Sequence, residues 1–195
     1  MVSAMANIEK TTVTDDLVLR ARTDADALGR LYELYYERIF RFCVHRLFSK
    51  EVAEDVTAAV FLAVAAKMHN FTGRTEQDFR NWLYAIAANN ANAYIRKASR
   101  RNELLQQATA SRTEAADCTD DASQPDWPTL YTAISSLKPK HQTILTLRFF
   151  ENLQIQEIAK IINAKESTVR VTLHRILRTL KNNLQSILDG ENRDV

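Results

Sequence analysis

Apolar residues recur at three- and four-residue intervals along most of the chain, which is the spacing of one face of an α-helix. A long amphipathic helix is predicted from Ala25 to Phe48, where the spaced apolar residues are Leu28, Leu31, Tyr35, Ile39, Phe42 and Cys43. Ser49 is a suitable N-cap for a second helix that reaches about His69. Thr75 is a suitable N-cap for a third that ends near Gln107. We see no convincing strand and predict an all-α fold.

The helical pattern stops between residues 108 and 126. This segment consists largely of Ala, Thr, Ser, Asp and Glu without apolar periodicity, which predicts a flexible acidic linker. An ordinary surface loop is the alternative, but the segment is long for a connection inside one compact domain. We therefore predict two small helical domains, residues 14–107 and residues 127–188.

The second predicted domain ends in a helix-turn-helix pattern. A short apolar stripe over residues 153–162 is followed by a four-residue turn and a longer helix from Ser167. On that helix an angular step of about 100° per residue groups Val169, Leu173, Ile176, Leu177, Leu180 and Leu184 on one side. The other side and its edges carry Ser167, Thr168, Arg170, Val171, His174, Arg175 and Arg178. A helix that is apolar on one side and basic on the other suits insertion into a DNA major groove, whereas a solvated basic surface is the alternative.

The predicted helix from Glu76 combines aromatic, amide and basic residues. Phe79, Leu83, Ile86 and Ala87 form an apolar face, which Asn89, Asn90 and Asn92 interrupt although Asn is a poor helix former. The aromatic residues are Trp82, Tyr84 and Tyr94, and the basic end is Arg96, Lys97, Arg100 and Arg101. Aromatics, amides and cations together favour binding to single-stranded or locally opened DNA. The alternative is a bundle helix whose aromatic residues belong to the core.

The helix predicted from Val52 to Met68 is apolar on almost every side, with charges only at Glu54, Asp55 and Lys67. Such a helix is either central in its own domain or shared with a partner. A bundle of about 100 residues has limited capacity to surround it. We favour partial burial in the bundle and partial docking on another protein.

Charge and composition narrow the function further. The chain has a net charge of +2, but residues 130–188 contain nine basic and three acidic residues, so the basic excess lies on the predicted helix-turn-helix domain. Two cysteines indicate reduced thiols rather than a disulfide framework or a zinc site, and we expect no metal and no cofactor. No signal peptide or membrane span is visible, which predicts a cytoplasmic protein without membrane insertion.

The sequence resembles the bacterial extracytoplasmic-function (ECF) sigma factors of RNA polymerase. The resemblance covers Leu28–Arg101 and Leu130–Leu184. Its motifs occur in register at Ala53–Phe61, Phe79–Ala87, Leu137–Phe149, Glu157–Ala159, Ser167–Arg170 and Leu173–Arg175. This chain has Ala58 and Ala59 where the family usually has polar residues, and Asn163 near the position of a usual turn glycine. Asn is the best non-glycine residue for a left-handed backbone.

The resemblance implies a division of roles. Polymerase binding falls to the helix with Glu54, Asp55, Thr57, Ala58 and Phe61. Recognition and melting of the minus-ten element fall to the segment from Phe71, with Arg80, Trp82, Tyr84, Asn89, Asn90, Asn92, Arg96, Lys97 and Arg100. Its loop, from about Asn70 to Glu76, would hold a flipped-out base. The helix from Ser167 would read the minus-thirty-five element. Such factors are promoter-specificity subunits, are not enzymes and are commonly held by an anti-sigma factor.

Two other classes of function fit parts of the same pattern less well. A dimeric helix-turn-helix regulator would act on a palindromic duplex without polymerase, and the all-round apolar helix would be its dimer seam. A helical hydrolase is disfavoured because no carboxylate pair, Cys-His pair or phosphate-binding glycine loop is visible.

Overall fold

The computed structural model describes residues 14–108 and 127–191, with side chains described in 14–101 and 130–185. Within these ranges every regular element is helical, which confirms the all-α prediction. The α-helices are α1 Asp15–Arg20, α2 Ala25–Leu47, α3 Lys50–Lys67, α4 Glu76–Ala108, α5 Trp127–Ser135, α6 Pro139–Phe149, α7 Ile155–Ile161 and α8 Glu166–Glu191. A single 3-10 turn, Met68–Asn70, follows α3.

Helices α1 to α4 form the first domain, and capping side chains define where its helices begin. The Thr14 hydroxyl accepts a hydrogen bond from the Leu17 amide, and the Ser49 hydroxyl accepts one from Val52, both at 3.3 Å. Phe48 adopts a left-handed backbone with φ 54° that ends α2 before α3 starts. The core includes residues on the two faces that periodicity predicted, namely Leu31, Tyr35, Ile39, Phe42, Phe79 and Leu83, together with Val60 and Val64 of α3.

Helices α5 to α8 form the second domain, and its turns are set by local chemistry. Pro139 occupies the first turn of α6, where a missing amide hydrogen is tolerated. Asn163 adopts φ 49° in the turn between α7 and α8, so the prediction that Asn replaces the usual glycine there is confirmed. At the start of α7, the Gln154 amide donates to the Glu157 carboxylate at 2.7 Å in a capping box.

The two domains pack against each other through α2 and α4 on one side and α6 and α7 on the other. Their buried apolar residues belong to one contiguous cluster. The predicted acidic linker lies, apart from its first residue, outside the described residues. None of the described helices is both long enough and apolar enough to cross a membrane.

Candidate nucleic-acid and polymerase interfaces

The groups predicted to read duplex DNA all lie on the open side of α8. Val169 and Ile176 anchor the helix because they are fully buried against the rest of the second domain. The residues predicted on the opposite side are all exposed, namely Ser167, Thr168, Arg170, Val171, His174, Arg175 and Arg178. They combine hydroxyls, cations, an imidazole and one apolar group, which are the chemistries used on base edges and phosphates.

The buried stripe of α8 is narrower than predicted. Measured from Val169 at 100° per residue, Leu180 lies about 20° away, Leu173 about 40° and Leu184 about 60°, and all three are half-buried. Leu177 lies about 80° away and is 42% exposed. Its assignment to the buried stripe was therefore wrong, because the second domain covers only the centre of that stripe.

The aromatic residues near the start of α4 belong to the core of the molecule. Phe71 is buried, and its ring centroid lies 4.8 Å from that of half-buried Trp82 and 6.0 Å from that of Phe79. Tyr84 is also buried, and its hydroxyl donates to Glu151 of the second domain at 2.5 Å. For Phe71 and Tyr84 the alternative of core packing is therefore what the structure shows, since neither ring is accessible to a base in this arrangement.

The three asparagines of α4 have different environments. Asn89 is exposed, whereas the Asn90 amide donates to the Ile86 carbonyl at 2.9 Å within the helix. The Asn92 oxygen accepts from the Arg46 guanidinium at 2.7 Å and from the Thr143 hydroxyl of the second domain at 3.4 Å. Only Asn89 is freely available to DNA here, and Asn92 joins the two domains instead.

The basic end of α4 is open to solvent. Arg96, Lys97 and Arg100 are all exposed, and Arg101 continues the same cationic surface. Arg80, nearer the start of the helix, is half-buried and forms an ion pair with Glu157 of the second domain. The residues predicted to bind the minus-ten strand are thus divided between an open basic end and a covered first half.

The loop before α4 is held by hydrogen bonds from several directions. The Arg22 guanidinium donates to the Gly73 carbonyl, and the Asp78 carboxylate accepts from the amides of Arg74 at 3.1 Å and Thr75 at 3.2 Å. The bond from the Arg74 amide, followed by those with the Thr75 side chain and amide, holds the pKa of Asp78 below its usual range. A Cβ atom at Gly73 would collide with the Phe71 ring and with Asp78. The loop is therefore a preshaped element rather than a slack connection.

Helix α3 is partly buried in the bundle of the first domain, which is the arrangement that the sequence favoured. Glu54, Asp55 and Ala58 are exposed and Phe61 is half-buried, whereas Thr57 is completely buried. Thr57 occupies the bundle-facing side of the helix, so its side chain is not exposed to a partner in this arrangement.

An exposed apolar surface adjoins these α3 residues. Leu62 is 72% exposed. The Phe61 ring lies 4.7 Å from the Tyr32 ring of α2 and 6.2 Å from that of Tyr36. Sequence reasoning missed Leu62 and the α2 tyrosines, although the charge-free run of α3 was the signal for them.

The residue that sequence reasoning missed most clearly is Arg46 of α2. It is buried, and its guanidinium donates to Gln142 at 2.5 Å, to Asn92 at 2.7 Å and to the Pro139 carbonyl at 3.2 Å. Burial lowers the pKa of Arg46 to about 10. A single arginine near the end of a helix gives no sequence signal of this role.

The structure also reports on metal chemistry. Within the part of the chain described, no group of three or more His, Cys, Asp or Glu side chains could hold a metal ion. Cys43 is a buried free thiol, and burial raises its pKa to about 11, so it is a core residue rather than a reactive one.

Comparison with known protein families matches both domains. The family model of sigma-70 region 2 matches residues 31–101, and that of sigma-70 region 4 matches residues 129–180. The chain is 31% identical over 173 residues to the RNA polymerase sigma factor YlaC of Bacillus subtilis, with 85% of this chain and 96% of that protein covered. It is 30% identical over 168 residues to the ECF RNA polymerase sigma factor BldN of Streptomyces coelicolor, spanning 85% of this chain and 63% of that protein.

Two solved structures share the fold. One is the sigma factor RpoE in complex with the anti-sigma factor NepR from Bartonella quintana, with a TM-score of 0.60, 16% identity, and coverage of 80% of this chain and 96% of that one. The other is CnrH in complex with the cytosolic domain of CnrY, with a TM-score of 0.61, 17% identity, and coverage of 90% and 97%.

The matches define a sigma-70-type initiation factor that carries regions 2 and 4. The chain belongs to the ECF family of RNA polymerase sigma factors. The resemblance found in the sequence is thereby confirmed.

Proposed function

We propose that this sigma factor joins core RNA polymerase and directs it to promoters through two separate DNA contacts, one made by each domain. The observation that carries the proposal is that one chain presents both an exposed apolar surface and an exposed basic reading helix. The first surface fits a protein partner and the second fits duplex DNA.

The polymerase-binding surface in this proposal is the exposed side of α3. Leu62, Ala58 and the edge of Phe61 supply apolar area, and Glu54 and Asp55 supply charges at its rim. An apolar centre with a polar rim is the usual composition of a protein interface. An exposed leucine beside an aromatic group is an expected anchor residue for such a partner.

The minus-ten contacts are assigned to α4 and to the loop before it. Asn89 offers an amide to base edges, and Arg96, Lys97 and Arg100 offer charges to the strand backbone. Arg80, Trp82, Tyr84, Asn90 and Asn92 remain assigned to this element. Of these, Arg80, Tyr84 and Asn92 first have to be released from the second domain.

The minus-thirty-five contacts are assigned to the exposed side of α8. Arg170, Arg175 and Arg178 can bind phosphates or guanine edges, and Val171 can contact a thymine methyl group. Ser167 and Thr168 at the start of the helix are placed to bind a phosphate together with backbone amides. His174 completes the set.

The remaining assignments follow from the family. Core polymerase supplies the chemistry of RNA synthesis, and this chain supplies promoter choice without a reaction of its own. We assign it to the cytoplasm, where polymerase works. Because two solved relatives were captured with an anti-sigma factor or a CnrY domain, we also propose an anti-sigma factor as a regulator of this chain.

Binding to core polymerase tests the proposal. Leu62→Glu should weaken capture of the full chain by core polymerase, because a charge would be buried at the interface. Leu19→Glu is the matched control, since Leu19 is also an exposed leucine but lies on α1. We expect a one-to-one complex that only the first variant disrupts. If the chain does not bind core polymerase and binds a palindromic duplex as a symmetric dimer, it is a dimeric helix-turn-helix regulator instead.

A further inference from the structure

The surface between the domains contains a concentration of arginines on the first domain. Arg38 and Arg41 on α2 and Arg80 on α4 line a cavity of about 260 Å³, together with Tyr84 and the residues that follow α6. Neither Arg38 nor Arg41 was among the predicted DNA-binding residues. Three guanidinium groups around one small cavity form an anion-binding environment.

A carboxylate of the second domain, that of Glu151, also lines this cavity. The Glu151 side chain is only 3% exposed, and its Oε2 lies 2.5 Å from the Tyr84 hydroxyl and 3.9 Å from Nη2 of Arg41. Its other oxygen is buried without a hydrogen-bond partner. Burial raises the pKa of Glu151 above its usual value, so the charged form is disfavoured by this placement. The carboxylate is held, but it satisfies the site incompletely.

A second carboxylate of the same domain, that of Glu157, pairs with the neighbouring Arg80. Glu157 accepts hydrogen bonds from Arg80 and, at 2.6 Å, from the Gln77 amide. Its pKa is nevertheless lowered, because these bonds and the one from the Gln154 amide together outweigh the opposing effect of burial. Glu151 therefore lies near Arg41, and Glu157 forms an ion pair with Arg80.

We propose that Arg38, Arg41, Arg80 and Tyr84 form a binding site for the phosphate backbone of an unpaired DNA strand, and that Glu151 and Glu157 occupy this site in the free chain. A carboxylate and a phosphate share the geometry that arginine recognises. The inference rests on the proposed function, because it extends the strand-binding surface of the first domain from the open basic end of α4 to α2.

The remaining contacts between the domains are compatible with reversible separation. Arg46 is held by neutral oxygens of Gln142, Asn92 and Pro139, and no carboxylate of the described residues pairs with it. A buried cation without a counter-charge is costly to keep from water, so separation would return solvation to Arg46. The DNA strand would then replace the two internal carboxylates on the arginines.

Strand binding by the full chain tests the proposal without polymerase. Glu151→Gln with Glu157→Gln keeps the shape of both side chains but removes both charges. We expect this variant to bind a fluorescein-labelled oligothymidylate about tenfold more tightly than the parent in fluorescence anisotropy. Glu33→Gln with Glu37→Gln is the control, because both residues are exposed on α2 and the net charge changes equally.

A second pair of substitutions locates the site. Adding Arg38→Ala and Arg41→Ala to the double glutamine variant should abolish the gain, with circular dichroism confirming that the helices remain. Equal affinities for the double glutamine variant and its control would overturn the proposal, as would a gain that survives loss of both arginines. Binding to core polymerase is measured in a separate experiment. A negative result with the oligothymidylate would therefore overturn only the proposed strand-binding site, whereas a negative result with polymerase would overturn only the proposed function.

Discussion

Helices α8 and α4 are both proposed to bind DNA, yet they differ in how exposed their predicted DNA-binding residues are. Every predicted reading residue of α8 is exposed, whereas Arg80, Tyr84 and Asn92 of α4 are bound to the second domain. Groups that would meet duplex DNA need no rearrangement to do so. Of the groups proposed to meet an unpaired strand, Arg80, Tyr84 and Asn92 become available only when the domains part, whereas Asn89 and the basic end of α4 are already open. The two proposed promoter contacts therefore differ in how much of each is available in the free chain and not only in sequence preference.

The largest expected effect tests whether α8 is buried on one side only. Ile176→Ala should lower the free energy of unfolding by about 2–5 kcal/mol, because a fully buried side chain leaves a cavity. Leu177→Ala, at the next residue, should lower the free energy of unfolding by less than about 1 kcal/mol, because that side chain is largely outside the core. Urea denaturation of the two variants measures both values. Equal losses would mean that α8 is covered on both sides and is not a reading helix.

The next largest effect separates the two kinds of DNA. Arg175→Ala should cost about 1–3 kcal/mol in binding to a duplex minus-thirty-five fragment if the arginine contacts a base. Arg100→Ala should leave duplex binding unchanged and reduce the salt dependence of single-strand binding by about one phosphate contact. Anisotropy titrations over a range of salt concentrations measure both variants on both DNAs. If each variant lost the same affinity for each DNA, the division between the helices would be wrong.

Local structure was predictable because it depends on residues close together in the chain. Local chemistry was enough to predict Ser49 and Thr75 as caps and Asn163 in the left-handed turn. The basic face of α8 followed from one helical period.

The packing between domains was not predictable in the same way. Arg46 and Gln142 are 96 residues apart, and neither residue is unusual in its own segment. Tyr84 has the aromatic chemistry of a base-stacking residue, and only its contact with Glu151 shows that it is used inside the molecule. The burial of Thr57 was not foreseen because the apolar run around it conceals which side of α3 faces the bundle. These facts depend on tertiary geometry that periodicity does not contain.

A smaller effect tests the shape of the loop that leads into α4. Gly73→Ala should destabilise the chain by about 1–3 kcal/mol, since the added carbon would displace the Phe71 ring or Asp78. Gly29→Ala is the control, because open space surrounds that position in α2 and alanine favours a helix by about 0.5–1 kcal/mol. Thermal unfolding compares the two. If Gly73→Ala were no less stable than Gly29→Ala, the loop would have no special shape.

The smallest expected effect concerns the cap of α4. Thr75→Ala removes the hydroxyl that accepts a hydrogen bond from the Asp78 amide at 3.1 Å, and it should lower the free energy of unfolding by about 1 kcal/mol.

Asp78 in the same cap makes stability depend on pH. Its pKa is lowered in the folded chain, so its contribution to stability is present above the pKa of the unfolded chain and is lost as the pH falls through the pKa of the folded chain. Asp78→Asn should therefore flatten the loss of stability on acidification below about pH 4. An unchanged acid profile would contradict this role.

Run-off transcription with core RNA polymerase and a library of promoter fragments shows whether the two DNA contacts cooperate in promoter choice. We expect products that appear only when this chain is added, from fragments that share two separated sequence elements. Substitution of Arg175 should reduce selection of the upstream element and leave the downstream one intact. If the chain is added at saturating concentration and core polymerase still yields no promoter-dependent product, the assignment of two cooperating DNA contacts is contradicted.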